Sequence, residues 1–247
     1  MPEGPQLPAA LIEAMRRASR VAVLTGAGVS AESGVPTFRD AQRGLWERYR
    51  PEDLATPEAF ERDPALVWRW YAERRARLAD VAPNPGHVAL VELARRYASF
   101  TLITQNVDGL HARAGSQDVI ALHGDITRTT CFERGHRVER WPETDEIPPR
   151  CPVCGGRLRP DVVWFGEALP REALSRAMRA ARGCEVFLSV GTSGLVYPAA
   201  ELPLEALRAG ARIVEINPTP TPLSRHAHWT IAAPSGLALP ALVAALA

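Results

Sequence analysis

An α/β fold, a parallel sheet with helices on both faces plus a small inserted domain, follows from three features of this 247-residue chain. Continuously apolar runs recur at 21–25, 100–104, 186–190, 212–217 and 229–231, the pattern of strands buried on both faces. Helical periodicity fills the intervals at about 86–97, 171–182 and 198–209, as the crossovers of a parallel sheet require. Two stretches break the rhythm. Residues 44–80 are rich in Trp, Arg, Glu and Pro, and residues 127–162 are polar, rich in proline and carry three cysteines. The expected large part spans about 8–43, 81–126 and 163–247, and the two insertions at about 44–80 and 127–162 form the small domain.

Composition bounds the function. Hydrophobic residues make up 46% and charged residues 23%, enough to bury a sizeable core. The formal charge is +1, which lacks the basic excess of a protein that neutralises phosphates, so no nucleic-acid partner is expected. No apolar run approaches the roughly 20 residues of a membrane span. The start, MPEGPQLPAALIEAMRR, has no basic region ahead of an apolar one, so a cytoplasmic protein without membrane contact is expected. All 29 basic residues are arginine. A Schiff-base or P-loop lysine mechanism is therefore excluded. Of the four cysteines, Cys131, Cys151 and Cys154 cluster and two form Cys-x-x-Cys, which favours a metal or redox site over a disulfide framework.

Taken in order, residues 8–20 show a helical alternation of apolar and charged side chains. The run at 21–25 then breaks into Gly26-Ala27-Gly28-Val-Ser-Ala31. Glycines in a turn after a strand let the backbone bend sharply and let a pyrophosphate approach the amides, a Rossmann-like feature. A hydride-transfer enzyme would continue with a helix and a second strand within about 30 residues. Here Gly34 and Pro36 stop a long helix and the next strand waits until about residue 99, so a loop is expected instead. Gln105, Asn106 and Asp108 follow the second strand, and His123 follows Val119-Ile-Ala-Leu. Gly191, Thr192 and Ser193, then Asn217, then Ser235 follow three later strands. In an open α/β sheet, ligands bind at such C-terminal strand ends; taken alone, these residue types also suit plain turns and caps.

The string GAGVSAESGVPTFRD at 26–40, with TQNVDGLH at 104–111, Leu122-His-Gly124, VWFGE at 163–167 and Gly191-Thr-Ser193, resembles the signature of the sirtuins, the NAD-dependent protein deacylases. The resemblance runs from about Val21 to Ser235. It implies that Gly26, Ala27, Gly28, Glu32, Phe38, Arg39, Gln105, Asn106, Asp108, Gly191, Thr192, Ser193, Asn217 and Ser235 form the NAD site. It makes His123 the general base, a role that suits an imidazole near pKa 6.5. It also implies that NAD is consumed: the acyl-lysine oxygen attacks C1′, nicotinamide leaves, and a ribose hydroxyl activated by His123 captures the acyl group as O-acyl-ADP-ribose. Val163, Phe165 and Gly166, with the 194–197 loop, would flank an extended acyl-lysine peptide of another protein. Mono-ADP-ribosyl transfer and a non-catalytic NAD- or zinc-binding module are the alternatives.

Two features depart from or refine that pattern. The family pattern supplies two Cys-x-x-Cys pairs for zinc, but Arg134 stands where the partner of Cys131 is expected. His136 is the candidate fourth ligand beside Cys131, Cys151 and Cys154, with water, Glu133 or an absent metal as the other options. Ala59 together with Tyr71-x-x-Arg74 resembles the subgroup that removes succinyl and malonyl groups. Arg74 would grip a distal carboxylate, Tyr71 would add a hydrogen bond, and Ala59 would leave room for the longer chain. By residue type alone the same helix reads as a solvated face.

Overall fold

A computed structural model describes residues 5–36 and 51–247. The sheet is built from β1 (Arg20–Thr25), β2 (Ser99–Thr104), β3 (Ile120–Ala121), β6 (Val186–Val190), β7 (Arg212–Ile216) and β8 (Trp229–Ile231). All are parallel, in the order β3-β2-β1-β6-β7-β8. Successive residues of β1 point to opposite faces, and both faces are covered. Val21 and Val23 join one core with Leu188 and Val214, under the helices α1 (Ala9–Arg17), α6 (Pro85–Ala94) and α10 (Ser235–Leu246). Ala22 and Leu24 join a second core with Phe187 and Ile213, under α8 (Arg171–Gly183) and α9 (Leu202–Arg208). The expected doubly covered sheet is borne out.

The chain enters at β1, builds outward through β2 and β3, then crosses back to lay β6 on the other side of β1. That reversal opens a crevice beyond the C-terminal ends of β1 and β6, where ligands bind in such sheets. The turns after these two strands interlock. Gly26 N donates to Val190 O at 3.0 Å and Gly28 N to Gly191 O at 2.9 Å. A Cβ on Gly28 would meet Gly191 Cα at 2.8 Å, and one on Gly191 (φ +61°) would meet Val29 N at 2.6 Å. The glycines are thus demanded by backbone meeting backbone. The sequence argument, which left the Cβ space for a phosphate, missed this use of it. Within the glycine motif Ala27–Ala31 forms a short helix, α2, and the chain then turns at Glu32–Gly34, where no long helix was expected.

Both irregular stretches fold. The first yields α3 (Pro51–Leu54), α4 (Pro57–Arg62) and α5 (Pro64–Ala79). Thr56 and Asp63 cap α4 and α5, each followed by proline at the first helical position. The second stretch overlaps an antiparallel pair that the sequence reading did not place, β4 (Gly124–Cys131) with β5 (Leu158–Val162). The insertions share a core: Ala59, Phe60, Trp70 and Tyr71 pack with Ile126, Val162 and Trp164. Arg75 on α5 ties them further, donating from Nε to Ile126 O at 2.8 Å. Among the described residues the remaining helices are α7 (Leu110–Arg113) and the 3-10 turn Ala199–Glu201.

Gly191→Ala should lower unfolding stability by about 1–3 kcal/mol, through the forced contact and the left-handed backbone. Urea unfolding would show this as a lower midpoint at an unchanged slope.

Candidate functional site

Gln105, Asn106 and Asp108 emerge from the end of β2 beside the interlocked turns, and a buried polar network holds them. Asn106 Nδ2 donates to Gly26 O at 3.0 Å and is 3.0 Å from Ser30 Oγ. Ser30 Oγ donates to Asp108 Oδ2 at 2.7 Å, and Asp108 Oδ1 accepts from Leu110 N at 2.9 Å. Both carboxylate oxygens of Asp108 therefore serve the loop's own architecture. Behind them, Thr25 Oγ1 lies 2.8 Å from both Thr104 Oγ1 and His111 Nε2. His87 caps α6 jointly with Asn84 and stacks 4.8 Å from His111. Ser30, Asn84, His87 and His111 went unassigned in the sequence argument. The Asn-Pro-Gly-His string at 84–87 is a readable helix start, but nothing in sequence shows that it backs onto Ser30 and Asp108.

His123 sits past β3 with its ring half-buried. Its Nδ1 is 2.9 Å from the Gln105 carbonyl. A carbonyl only accepts, so Nδ1 carries the proton and Nε2 keeps a free lone pair. Burial holds the ring's pKa below the usual value, against a smaller opposing effect of that hydrogen bond. Burial thus favours the neutral imidazole, with Nε2 as its unprotonated nitrogen. Its own carbonyl accepts from Val163 N at 2.9 Å, which seats the 163–167 segment beside it. In that segment Phe165 is about half exposed, as are Leu195, Val196 and Tyr197 on the loop after β6.

The other expected NAD residues fall along the same sheet edge. Thr192 is buried and its Oγ1 lies 3.0 Å from Ser189 Oγ; Ser193 follows it in the loop. Asn217 Nδ2 donates to Thr192 O at 3.4 Å, joining the turns after β6 and β7. Glu32 and Ser235 meet each other: the carboxylate accepts from Ser235 Oγ at 3.1 Å and Gly236 N at 2.7 Å, at the start of α10. An anion at a helix N-terminus is favourable there, so this pair anchors α10 to the glycine turn. Phe38 and Arg39 lie outside the described residues.

Ala59, Tyr71 and Arg74 lie on α4 and α5. Ala59 and Tyr71 are buried in one cluster. Tyr71 Oη accepts from Trp164 Nε1 at 3.0 Å, and burial raises the Tyr71 pKa, so the phenol keeps its proton. The Arg74 guanidinium lies 4.9 Å over the Trp70 ring, and burial lowers its pKa. Among the described residues no carboxylate is paired with it. Arg74 is thus a half-buried cation rather than part of a solvated face.

The ligand atoms of Cys131, His136, Cys151 and Cys154 all lie within 4.8 Å of one another. Cys131 Sγ is 3.5 Å from Cys154 Sγ, and Cys151 Sγ is 3.6 Å from His136 Nδ1. Such separations suit a tetrahedral site with metal bonds of about 2.0–2.3 Å, so these residues fit zinc. Glu133 is committed elsewhere, to Arg157 Nε and N, both at 2.7 Å.

Residues 26–198 match the Sir2 family model. The chain belongs to the Sir2 family. It is 54% identical over 220 residues to an NAD-dependent protein deacylase of Aquifex aeolicus, covering 88% of this chain and 92% of that one. It is likewise 54% identical over 231 residues to an NAD-dependent protein deacylase of Thermus thermophilus, covering 91% and 90%. Among solved structures, a Sir2 homolog–NAD complex superposes with a TM-score of 0.91 at 45% identity, covering 100% of this chain and 96% of that one. A Sir2 bound to a deacetylated p53 peptide and 3′-O-acetyl ADP ribose superposes at 0.80 with 30% identity, covering 92% and 93%. Among the described residues no helix is long and apolar enough to cross a membrane.

Two measurements follow. The protein should purify with about one zinc per chain, and His136→Ala should lower zinc retention against a chelator about 10-fold or more, read by a colorimetric metal assay. His111 has its pKa pulled to about 3 by burial and by His87. The unfolded chain therefore binds more protons than the folded one between about pH 6.5 and 3. This sirtuin should keep full stability above pH 6.5 and lose up to about 1.4 kcal/mol per pH unit through His111 as pH falls through that window. His111→Asn should flatten the slope of unfolding free energy against pH by about one proton.

Proposed function

We propose that this sirtuin is an NAD-dependent protein-lysine deacylase that removes succinyl and malonyl groups as well as acetyl. The observation that carries the deacylase reading is His123, with its tautomer set by Gln105 and its carbonyl bonded to Val163 N at the start of the 163–167 segment. The names of the relatives, and the NAD and acetyl-ADP-ribose complexes of similar structures, support it. In this reading Gly26, Ala27, Gly28, Glu32, Gln105, Asn106, Asp108, Gly191, Thr192, Ser193, Asn217 and Ser235 shape the NAD site, as do Phe38 and Arg39. Val163, Phe165 and Gly166 hold the peptide.

The chemistry asks one thing of the protein beyond positioning. The acyl oxygen displaces nicotinamide from C1′, and a neighbouring ribose hydroxyl must lose its proton to attack the acyl carbon. His123 Nε2 takes that proton. The carbon–nitrogen bond of that now tetrahedral carbon then breaks, and the amine takes up a proton and leaves as free lysine. Water adds to the resulting trigonal carbon, and cleavage of its bond to the C1′ oxygen leaves O-acyl-ADP-ribose. This chain has no lysine of its own, so every substrate is another protein.

Acyl preference rests on Arg74. A cation that is half-buried without an anion is unfavourable, and a substrate carboxylate offsets that desolvation. Ala59, buried beside Tyr71, leaves the wall small. The cysteine cluster, arranged as metal ligands rather than disulfides, suits the reducing cytoplasm.

Paired peptides differing only in acetyl- or succinyl-lysine, followed by nicotinamide release, test both parts. Arg74→Met should lower kcat/KM for the succinyl peptide about 10- to 100-fold more than for the acetyl peptide; equal losses would remove the acidic-acyl reading. His123→Ala should lower kcat/KM on both by about 100-fold or more. The acid limb of kcat/KM should fall below pH 6.5, because a depressed His123 pKa keeps the base neutral further into acid. Gain of ADP-ribose on the peptide, in place of acyl loss, would point to transferase chemistry.

A further inference from the structure

Trp164 is 2% exposed and clamped on several sides. The Arg159 guanidinium lies 3.3 Å over its ring. Arg159 is itself held bidentately by Glu167, at 2.5 and 2.8 Å, and donates to Val162 O at 2.7 Å. The same carboxylate accepts from Trp164 N at 2.7 Å. Phe60 packs 5.4 Å from the indole. The indole is therefore fixed, and so is the direction of its N–H, which ends on Tyr71 Oη at 3.0 Å.

A phenol oxygen accepts and donates. With the indole on its acceptor side, the Tyr71 O–H must find an acceptor elsewhere, and among the described residues there is none. Trp70 acts on Arg74 in a parallel way. Its ring face takes the guanidinium, which leaves the in-plane N–H groups for an anion. We propose that Trp164 is a positioning residue for acyl specificity, whose N–H turns the Tyr71 hydroxyl proton toward the distal carboxylate of an acidic acyl-lysine. This rests on the acidic-acyl reading above. A merely structural Trp164, using Tyr71 to satisfy its own buried N–H, would affect all acyl substrates alike.

The test compares succinyl- and acetyl-lysine peptides with the zinc-loaded enzyme carrying Trp164→Phe, Tyr71→Phe, both substitutions, or Arg74→Met. Loss of one neutral hydrogen bond should raise KM for the succinyl peptide about three- to tenfold, with a much smaller change in kcat, and should lower the succinyl-to-acetyl ratio of kcat/KM. In the Tyr71→Phe background, Trp164→Phe should lower that ratio no further. Equal loss on both substrates, or ratio losses that multiply, would overturn the proposal. If Arg74→Met and Tyr71→Phe leave the ratio unchanged, the acidic-acyl reading itself falls. If those two lower it and Trp164→Phe does not, only the role of Trp164 falls. Should Trp164→Phe fail to fold, benzothienylalanine at position 164 keeps the bicyclic shape without the N–H and gives the same comparison.

Discussion

The contact between the turns after β1 and β6 is the constraint on which the site depends. Gly26 and Gly28 press against Gly191 and Thr192 at distances that leave no room for a side chain. That contact lies where strand order reverses, the position at which open α/β sheets bind ligands. Asn106 bonds to Gly26 O, Ser30 bonds to Asp108, and Asn217 bonds to Thr192 O. Each polar side chain of the edge is thus referred to one of the two turns. The geometry resists drift because its members are backbone atoms and short side chains with few rotamers.

Buried polar groups take two different forms in this molecule. Beneath the C-terminal strand ends, Thr25, Thr104, Ser30, Asp108, His87 and His111 form one buried network of short hydroxyls, a carboxylate and two imidazoles, in which His111 Nδ1 has no partner among the described residues. Low local dielectric favours the uncharged imidazoles there. In the inserted part, cations are stacked on aromatic faces: Arg74 on Trp70, Arg157 on Phe132 and Arg159 on Trp164. Guanidinium is weakly hydrated and planar, so it tolerates such sites better than lysine would, which suits a chain whose basic residues are all arginine. The first form builds a rigid edge. The second commits N–H groups of Arg157 to Glu133 and of Arg159 to Glu167.

Much of the fold was legible because continuous apolar strands and amphipathic helices announce themselves by period. Val186–Val190 and Trp229–Ile231 stand where periodicity placed them. The β4–β5 pair was not legible: Gly124–Cys131 reads GDITRTTC, with polar residues that face solvent or pair within the insertion. The strings proposed for NAD, the glycine turn and Gln-Asn-x-Asp, stood out in sequence, as did the cysteine cluster through its spacing. Glu32 and Ser235, named as ligand residues in the sequence argument, turn out to hold each other at the start of α10, 203 residues apart in the chain.

The sequence by itself determined the fold class and the family, and it marked out the imidazole proposed as the base and the residue types of the cysteine–histidine cluster, because each rests on local pattern or on strings of adjacent residues. Only the tertiary structure decided which nitrogen of His123 is bare, which side chain completes the cysteine cluster, and what holds Tyr71. Those depend on partners brought together from distant segments: Gln105 with His123, His136 with Cys151, Trp164 with Tyr71. A hydrogen bond selects a tautomer or a hydroxyl direction only once its second atom is in place, and sequence spacing carries no trace of that atom.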